Sequence, residues 1–292
     1  MKRTVYLWFA AASPRLLLSL AVVLACAHVP REVTPTNSVP NSVPDSVPAH
    51  DSFTIQSKAL GEARLINVYT PTQYRASRGR AAEPLPVLYM PDGGLDEDFP
   101  HVVHTVDSLI AHGVIRPLIV VGVPNTQRRR DLTGPTRVAS DSTIAPRVGG
   151  SAAFRRFLRE ELVPEVERRY RTTRERAIMG ESLAGLFVVE TFLQEPDLFT
   201  HYIAFDPSVW WNAGTLVDSA APRLAAFDAA PRTLYLATSR EPSTAVGIAR
   251  LTTLLRAAPP PGLRWTYEPR PNLTHATIFR AVKPAALVDA FR

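Results

Sequence analysis

The sequence predicts an α/β fold with a mostly parallel central sheet, antiparallel strands at its N-terminal end and helices on both faces. Three observations carry this expectation. Short apolar runs at 84–89, 117–123, 176–179, 201–205, 233–237 and 265–268 alternate with stretches whose apolar residues recur at helical spacing. The turn Gly180-Glu181-Ser182-Leu183-Ala184-Gly185 stands between an apolar approach and a helix-like run. Finally, 292 residues with 46% hydrophobic content suffice for one large core, and single α/β domains of about 250 residues are common.

The first 25 residues read as a targeting segment. Lys2, Arg3 and Arg15 flank the apolar run 16–25, which is too short to span a bilayer but suits a signal peptide. Its end, Val23-Leu24-Ala25-Cys26, resembles a bacterial lipobox, in which Cys26 is lipidated. Cys26 is the only cysteine, so no internal disulfide can form and an anchor gives it a purpose. Ala27 follows where inner-membrane retention would favour aspartate, so an outer-membrane or surface lipoprotein is expected; the alternative is a cleaved signal and a soluble exported protein. Residues 26–51 carry three copies of Asn/Asp-Ser-Val-Pro ending at Pro40, Pro44 and Pro48, which favour extended chain and make a tether. His28 and His50 are assigned to it without a role, and the folded domain is expected at 52–292.

The net charge of +6 comes almost wholly from arginine, since Lys2, Lys58 and Lys283 are the only lysines. The charges are spread, with no basic block interleaved with aromatics, and nucleic acid is not an expected partner. No group of cysteines or histidines has metal-ligand spacing, so neither metal nor cofactor is expected.

Within the domain, Phe53 to Tyr69 alternates as two antiparallel strands around Gly61. Pro84 to Tyr89 reads as a buried strand ending in Met90-Pro91-Asp92-Gly93-Gly94, and ligands bind beyond such strand ends. A helix at 102–111 and a strand at 117–123 follow. The loop 125–135 then carries Arg128, Arg129 and Arg130, one expected to pair with Asp131 and the others open to an anionic substrate group. Ser151 to Tyr170 is an amphipathic helix covering the sheet. His201 to Phe205 is a strand leading to Trp210 and Trp211, of which one is expected to wall a substrate pocket.

Ser182 is read as a nucleophile on a strand-to-helix elbow. Positions two before and two after it must be small, and here they are Gly180 and Ala184. The amide of Leu183, at the helix start, would stabilise a developing oxyanion, with Gly94 or Leu95 as the second donor. A serine hydroxyl needs a base and the base a carboxylate, in the chain order serine, acid, histidine for this architecture. Of seven histidines only His201 and His275 follow Ser182. His201 begins a strand, at the wrong end of the sheet, so His275 is the expected base. Glu241 and Asp206 both stand just beyond strand ends; Glu241 is preferred as the acid because it follows the strand after next, with Asp206 as a variant placement.

The blocks VLYMPDGGLDEDF, VVGVPNTQRRRDLTGP, AIMGESLAGLFVVETFLQEPDLF, FDPSVWWN and NLTHATIF resemble the putative esterase family of α/β-hydrolases, which includes enterobactin-type siderophore esterases and is related to formylglutathione hydrolases and mycolyltransferases. The resemblance implies an α/β-hydrolase fold from about Phe53 onward. By matching motif it implies Ser182 as nucleophile, His275 as base, Glu241 as acid, and Leu183 with the Gly94 region as oxyanion donors. The expected activity is a serine esterase working through an acyl-enzyme on a small-molecule ester, with Arg128, Arg130, Trp210 and Trp211 as substrate contacts. Acyl transfer to an envelope glycan or lipid is a second reading, and a lipid-anchored binding protein that has lost catalysis a third.

Overall fold

The structure, a computed structural model, describes residues 47–76 and 83–292. The expected signal peptide, the lipidated Cys26 and the tether up to residue 46 lie outside the described residues.

Eight strands form one sheet in the order β1-β2-β4-β3-β5-β6-β7-β8. They are β1 (His50–Ser57), β2 (Glu62–Tyr69), β3 (Leu85–Pro91), β4 (Ile119–Val123), β5 (Thr172–Glu181), β6 (His201–Phe205), β7 (Arg232–Thr238) and β8 (Leu263–Pro269). The pairs β1–β2 and β2–β4 are antiparallel and all others parallel. β1 begins at His50, within the stretch assigned to the tether, and the His50 ring packs edge-on against Phe99 at 5.8 Å.

The helices are α1 (Thr72–Ala76), α2 (Phe99–Ala111), α3 (Arg128–Leu132), α4 (Ala139–Thr143), α5 (Ser151–Phe157), α6 (Val163–Arg169), α7 (Leu183–Gln194), α8 (Thr215–Asp218), α9 (Ala220–Ala225), α10 (Pro242–Ala257) and α11 (His275–Phe291). The predicted helix at 151–170 is α5 and α6 joined by a π turn, Leu158–Leu162. Pro164 explains the turn: it has no N–H to donate and its ring would collide with an i−4 carbonyl, so the ladder widens just before it.

Alternation along the central strands makes two cores. Ala177, Met179, Ile203 and Phe205 face α2 and α11, together with Val102, Val106, Ile278 and Val282. Ile178, Tyr202, Ala204 and Leu236 face the other way, against Phe154, Phe187, Phe192 and Ile248. α7 is buried all round because its sequence, LAGLFVVETFLQ, is nearly all apolar. The strand order reverses beside β3 and β5, so their C-terminal ends open a crevice at the point where α/β sheets bind ligands.

Candidate active site

Ser182 sits at that edge, between β5 and α7, with φ 60° and ψ −117°. The left-handed region is costly for a residue with a side chain, and three close contacts hold it there. The Ser182 amide donates to the Phe205 carbonyl at 3.0 Å, while its own carbonyl accepts from Leu186 and Ser208. A side chain at Gly180 would meet Ala184 Cβ at 2.6 Å, and one at Gly185 would meet the Phe205 carbonyl and Pro207 at 3.0 Å. Small residues are therefore required where the elbow closes. Asp92 and Asp206, at the ends of β3 and β6, also have positive φ, 55° and 40°. Strain in three non-glycine residues gathers along one edge of the sheet.

His275 is the first residue of α11. A capping box between Thr274 and Thr277 fixes this helix start. Hydrogen bonds from Arg240 to the Leu273 carbonyl and from Arg270 to the Thr238 carbonyl tie the preceding loop to the end of β7. Nδ1 of His275 donates to Oδ2 of Asp206 at 3.0 Å. The other Asp206 oxygen accepts from the Ser239 amide at 2.6 Å and the Thr244 hydroxyl at 3.0 Å. The Asp206 side chain is fully buried and that of His275 is 43% exposed. Burial pulls the Asp206 carboxyl upward, but the bonds from His275, Ser239 and Thr244 outweigh it and hold the group below the usual aspartate value. The Asp206 bond raises the His275 imidazole above its ordinary value against the effect of burial, with Glu181 adding to the rise.

The preference for Glu241 over Asp206 as the partner of His275 is corrected by this geometry. Glu241 is the N-cap of α10, and its carboxylate accepts from the Ser243 hydroxyl at 3.1 Å. The sharp turn at Asp206 brings the carboxylate straight off β6, whereas Pro242 starts a helix at once and keeps Glu241 at its N-cap.

The expected oxyanion donors fare differently. Leu183 opens α7, so its amide is among those that no helical carbonyl accepts. The Gly94 amide, by contrast, donates to the Glu97 carboxylate at 2.7 Å, which corrects its expected role. Gly93 is also engaged, with the Val123 carbonyl at 3.1 Å, and a side chain there would meet Val123 N at 2.1 Å. Leu95, the alternative to Gly94, is half exposed at the outer turn of this loop.

Arg128 grips both oxygens of Asp92 at 2.7 Å and keeps part of its surface open. Arg130 is not free for a substrate. It binds both Glu62 oxygens and Asp131, which also holds the buried Arg64 at 2.6 Å, so the expected contact is corrected and the pairing of an arginine with Asp131 is found. The reason is electrostatic: the buried Arg64 and the partly exposed Arg130 are neutralised by Asp131 and Glu62, and the Arg130 bond holds the Glu62 carboxyl down to about 2. The two tryptophans also separate. Trp211 is 4% exposed and donates its indole N–H to the Gly134 carbonyl at 2.8 Å. Trp210 is 40% exposed and borders a groove of about 350 Å³ with Val209, Pro242 and Val246. The fold also brings to this edge Ser208, whose hydroxyl lies 3.4 Å from Oγ of Ser182, and Glu181; both stand within the quoted sequence blocks, but nothing in their spacing marks them apart from their neighbours.

A family model described as "Putative esterase" matches residues 57–249, more than half of the chain. The chain belongs to that esterase family. It is 41% identical over 113 residues to a ferri-bacillibactin esterase of Bacillus subtilis, a stretch covering 34% of this chain and 39% of that protein. It is 31% identical over 166 residues to a siderophore triacetylfusarinine C esterase of Aspergillus fumigatus, covering 52% of this chain and 54% of that one. The chain thus spans about two fifths to one half of the length of these curated relatives. An IroE-like serine hydrolase from Shewanella oneidensis superimposes with a TM-score of 0.72 at 26% identity, covering 83% of this chain and 78% of that one. The mixed sheet with antiparallel N-terminal strands is therefore the α/β-hydrolase architecture of this esterase family.

Proposed function

We propose that the protein is a serine esterase that cleaves an ester-linked siderophore through an acyl-enzyme. The observation that carries this reading is the placement on one sheet edge of a strained serine and a histidine held by a buried aspartate. Ser182 attacks the ester carbonyl carbon and gives its proton to His275. Asp206 fixes the histidine's tautomer and steadies the imidazolium, and the Leu183 amide receives the negative oxygen. His275 then protonates the leaving alcohol, and water, activated by the same imidazole, releases the acid and regenerates Ser182. Leu95 is the proposed second oxyanion donor. Trp210 offers an exposed aromatic face on its groove, and Arg128 is the remaining candidate cation for the substrate.

The substrate class rests on the names of the relatives, two of which are siderophore esterases. Incubation of the protein with a macrocyclic triester siderophore, with and without iron, followed by mass analysis of the products tests it. Stepwise addition of one, two and three waters is expected, and Ser182→Ala abolishes it. Hydrolysis of simple esters with no cleavage of the macrocycle would restrict the reading to a general esterase. Export and a lipid anchor at Cys26 belong to the same proposal; a membrane-bound chain that becomes soluble in Cys26→Ala supports them, and an unchanged distribution refutes them.

A further inference from the structure

Glu181 immediately precedes Ser182 and closes β5. Ala177 and Met179, at the alternate positions before it, lie in the core facing α2 and α11. Continued alternation sends the Glu181 side chain to that same face. Glu181 also pairs in register with Phe205, so it lies beside the strand end from which Asp206 emerges. α11 packs on β6, β7 and α2, and both helices begin at this edge of the sheet, α11 with His275 and α2 just after Asp98. Positive helix ends thus converge on the region into which Glu181 projects.

The carboxyl in that place is unusual because one oxygen, Oε1, is enclosed and accepts no hydrogen bond among the described residues. The charged groups that act on it are His275 from α11, Asp98 and Asp92 from the loop after β3, and Asp206 from β6. The acidic neighbours are already engaged: Asp92 with Arg128, Asp98 with His101, and Asp206 with His275. Of these groups His275 is the cation-forming one, and its charge draws on Glu181. We propose that Glu181 is a second acidic positioning residue for His275, steadying its imidazolium alongside Asp206 during acyl transfer. The inference rests on the serine-esterase reading. When Oγ of Ser182 bonds to the carbonyl carbon, the hydroxyl proton passes to the imidazole and the carbonyl π pair moves to oxygen; the ring's new positive charge then falls within the field of both carboxylates. Burial pushes the Glu181 carboxyl up to about 7, against the pull of His275.

The test compares Glu181→Gln and Glu181→Asp with the parent protein on p-nitrophenyl acetate across pH. In Glu181→Gln, kcat is expected to fall about tenfold with KM little changed. The acid limb of the kcat profile should move to lower pH by about half a unit or more, because one fewer negative charge holds a proton on His275. Glu181→Asp should restore part of both effects. An acid limb that stays in place in Glu181→Gln overturns the proposal, whatever happens to kcat. Titration of the His275 ring and the Glu181 carboxyl by NMR in the parent protein gives a second readout that needs neither turnover nor the variant. Two coupled titrations are expected, and a carboxyl that titrates independently of His275 refutes the inference. If the parent protein cleaves no ester, the esterase reading fails while this titration still decides the coupling.

Discussion

His275 and Asp206, 69 positions apart, are joined at 3.0 Å, and this one bond ties the end of β6 to the first residue of α11. The carboxylate is fully buried, and its second oxygen is held by Ser239 and Thr244, so the pair is braced from β6, β7 and α10 together. Asp206→Asn keeps the shape but lets the histidine take the wrong tautomer. Its kcat is expected to fall about 10³–10⁴-fold, with the fold intact by circular dichroism. Glu241→Gln, at an exposed helix cap, is expected to stay within about threefold of the parent. The reverse ranking would restore Glu241 as the acid.

The same pair sets the pH response. In the proposed mechanism the imidazole must be neutral to accept the serine proton, and the Asp206 bond raises its value above 6.5. The kcat/KM profile should therefore fall on the acid side with a midpoint above 6.5. The folded state gains from the charged pair as well. The His275 contribution is full below its unfolded value and is lost as pH rises through its raised folded value. The Asp206 contribution is present above its unfolded value and is lost as pH falls through its depressed folded value. Titrations of activity and thermal stability check the two signs separately.

How much of this was legible in the sequence depended on whether the signal was local. The strand at His201–Phe205 and the elbow around Ser182 were readable because apolar runs and small residues lie next to one another in the chain. Loop order singled out His275 as well. The choice between Asp206 and Glu241 was not readable, because it turns on a positive φ at Asp206 and on Pro242 starting α10 at once. The place of Gly94 in a glycine turn points to an oxyanion role, but Glu97, three residues on, takes its amide. Arg130 failed for a longer-range reason: its partner Glu62 lies on β2, 68 positions away.

Arg130 and Asp131 accordingly give a prediction about stability. Asp131 and Arg64 are each 1% exposed, and removing one member of a buried pair strands the other. Asp131→Ala is expected to cost about 3–5 kcal/mol. Arg130→Ala, at the more exposed side of the network, should cost about 1–3 kcal/mol with KM unchanged. A raised KM in Arg130→Ala without loss of stability would return this arginine to the substrate. Denaturant titration and steady-state kinetics separate the two cases.

Lys283 gives another. Its Nζ lies 2.7 Å from Nδ1 of His101 and donates to the His101 carbonyl at 2.8 Å. Burial, aided by Arg280, pushes the ammonium down to about 7. Between that value and the ordinary lysine range the unfolded chain binds a proton that the folded chain does not, so stability should rise with pH above about 7. Lys283→Met removes this difference, and its melting temperature should climb less between pH 7 and about 9. Parallel curves for the two proteins would contradict the assignment.

The most direct measurement is reaction of the protein with a fluorophosphonate, followed by peptide mass spectrometry, beside turnover of p-nitrophenyl acetate. The account predicts a single adduct on Ser182, loss of turnover in step with labelling, and neither labelling nor turnover in Ser182→Ala or His275→Ala. A folded protein that forms no adduct and turns over no ester would contradict it.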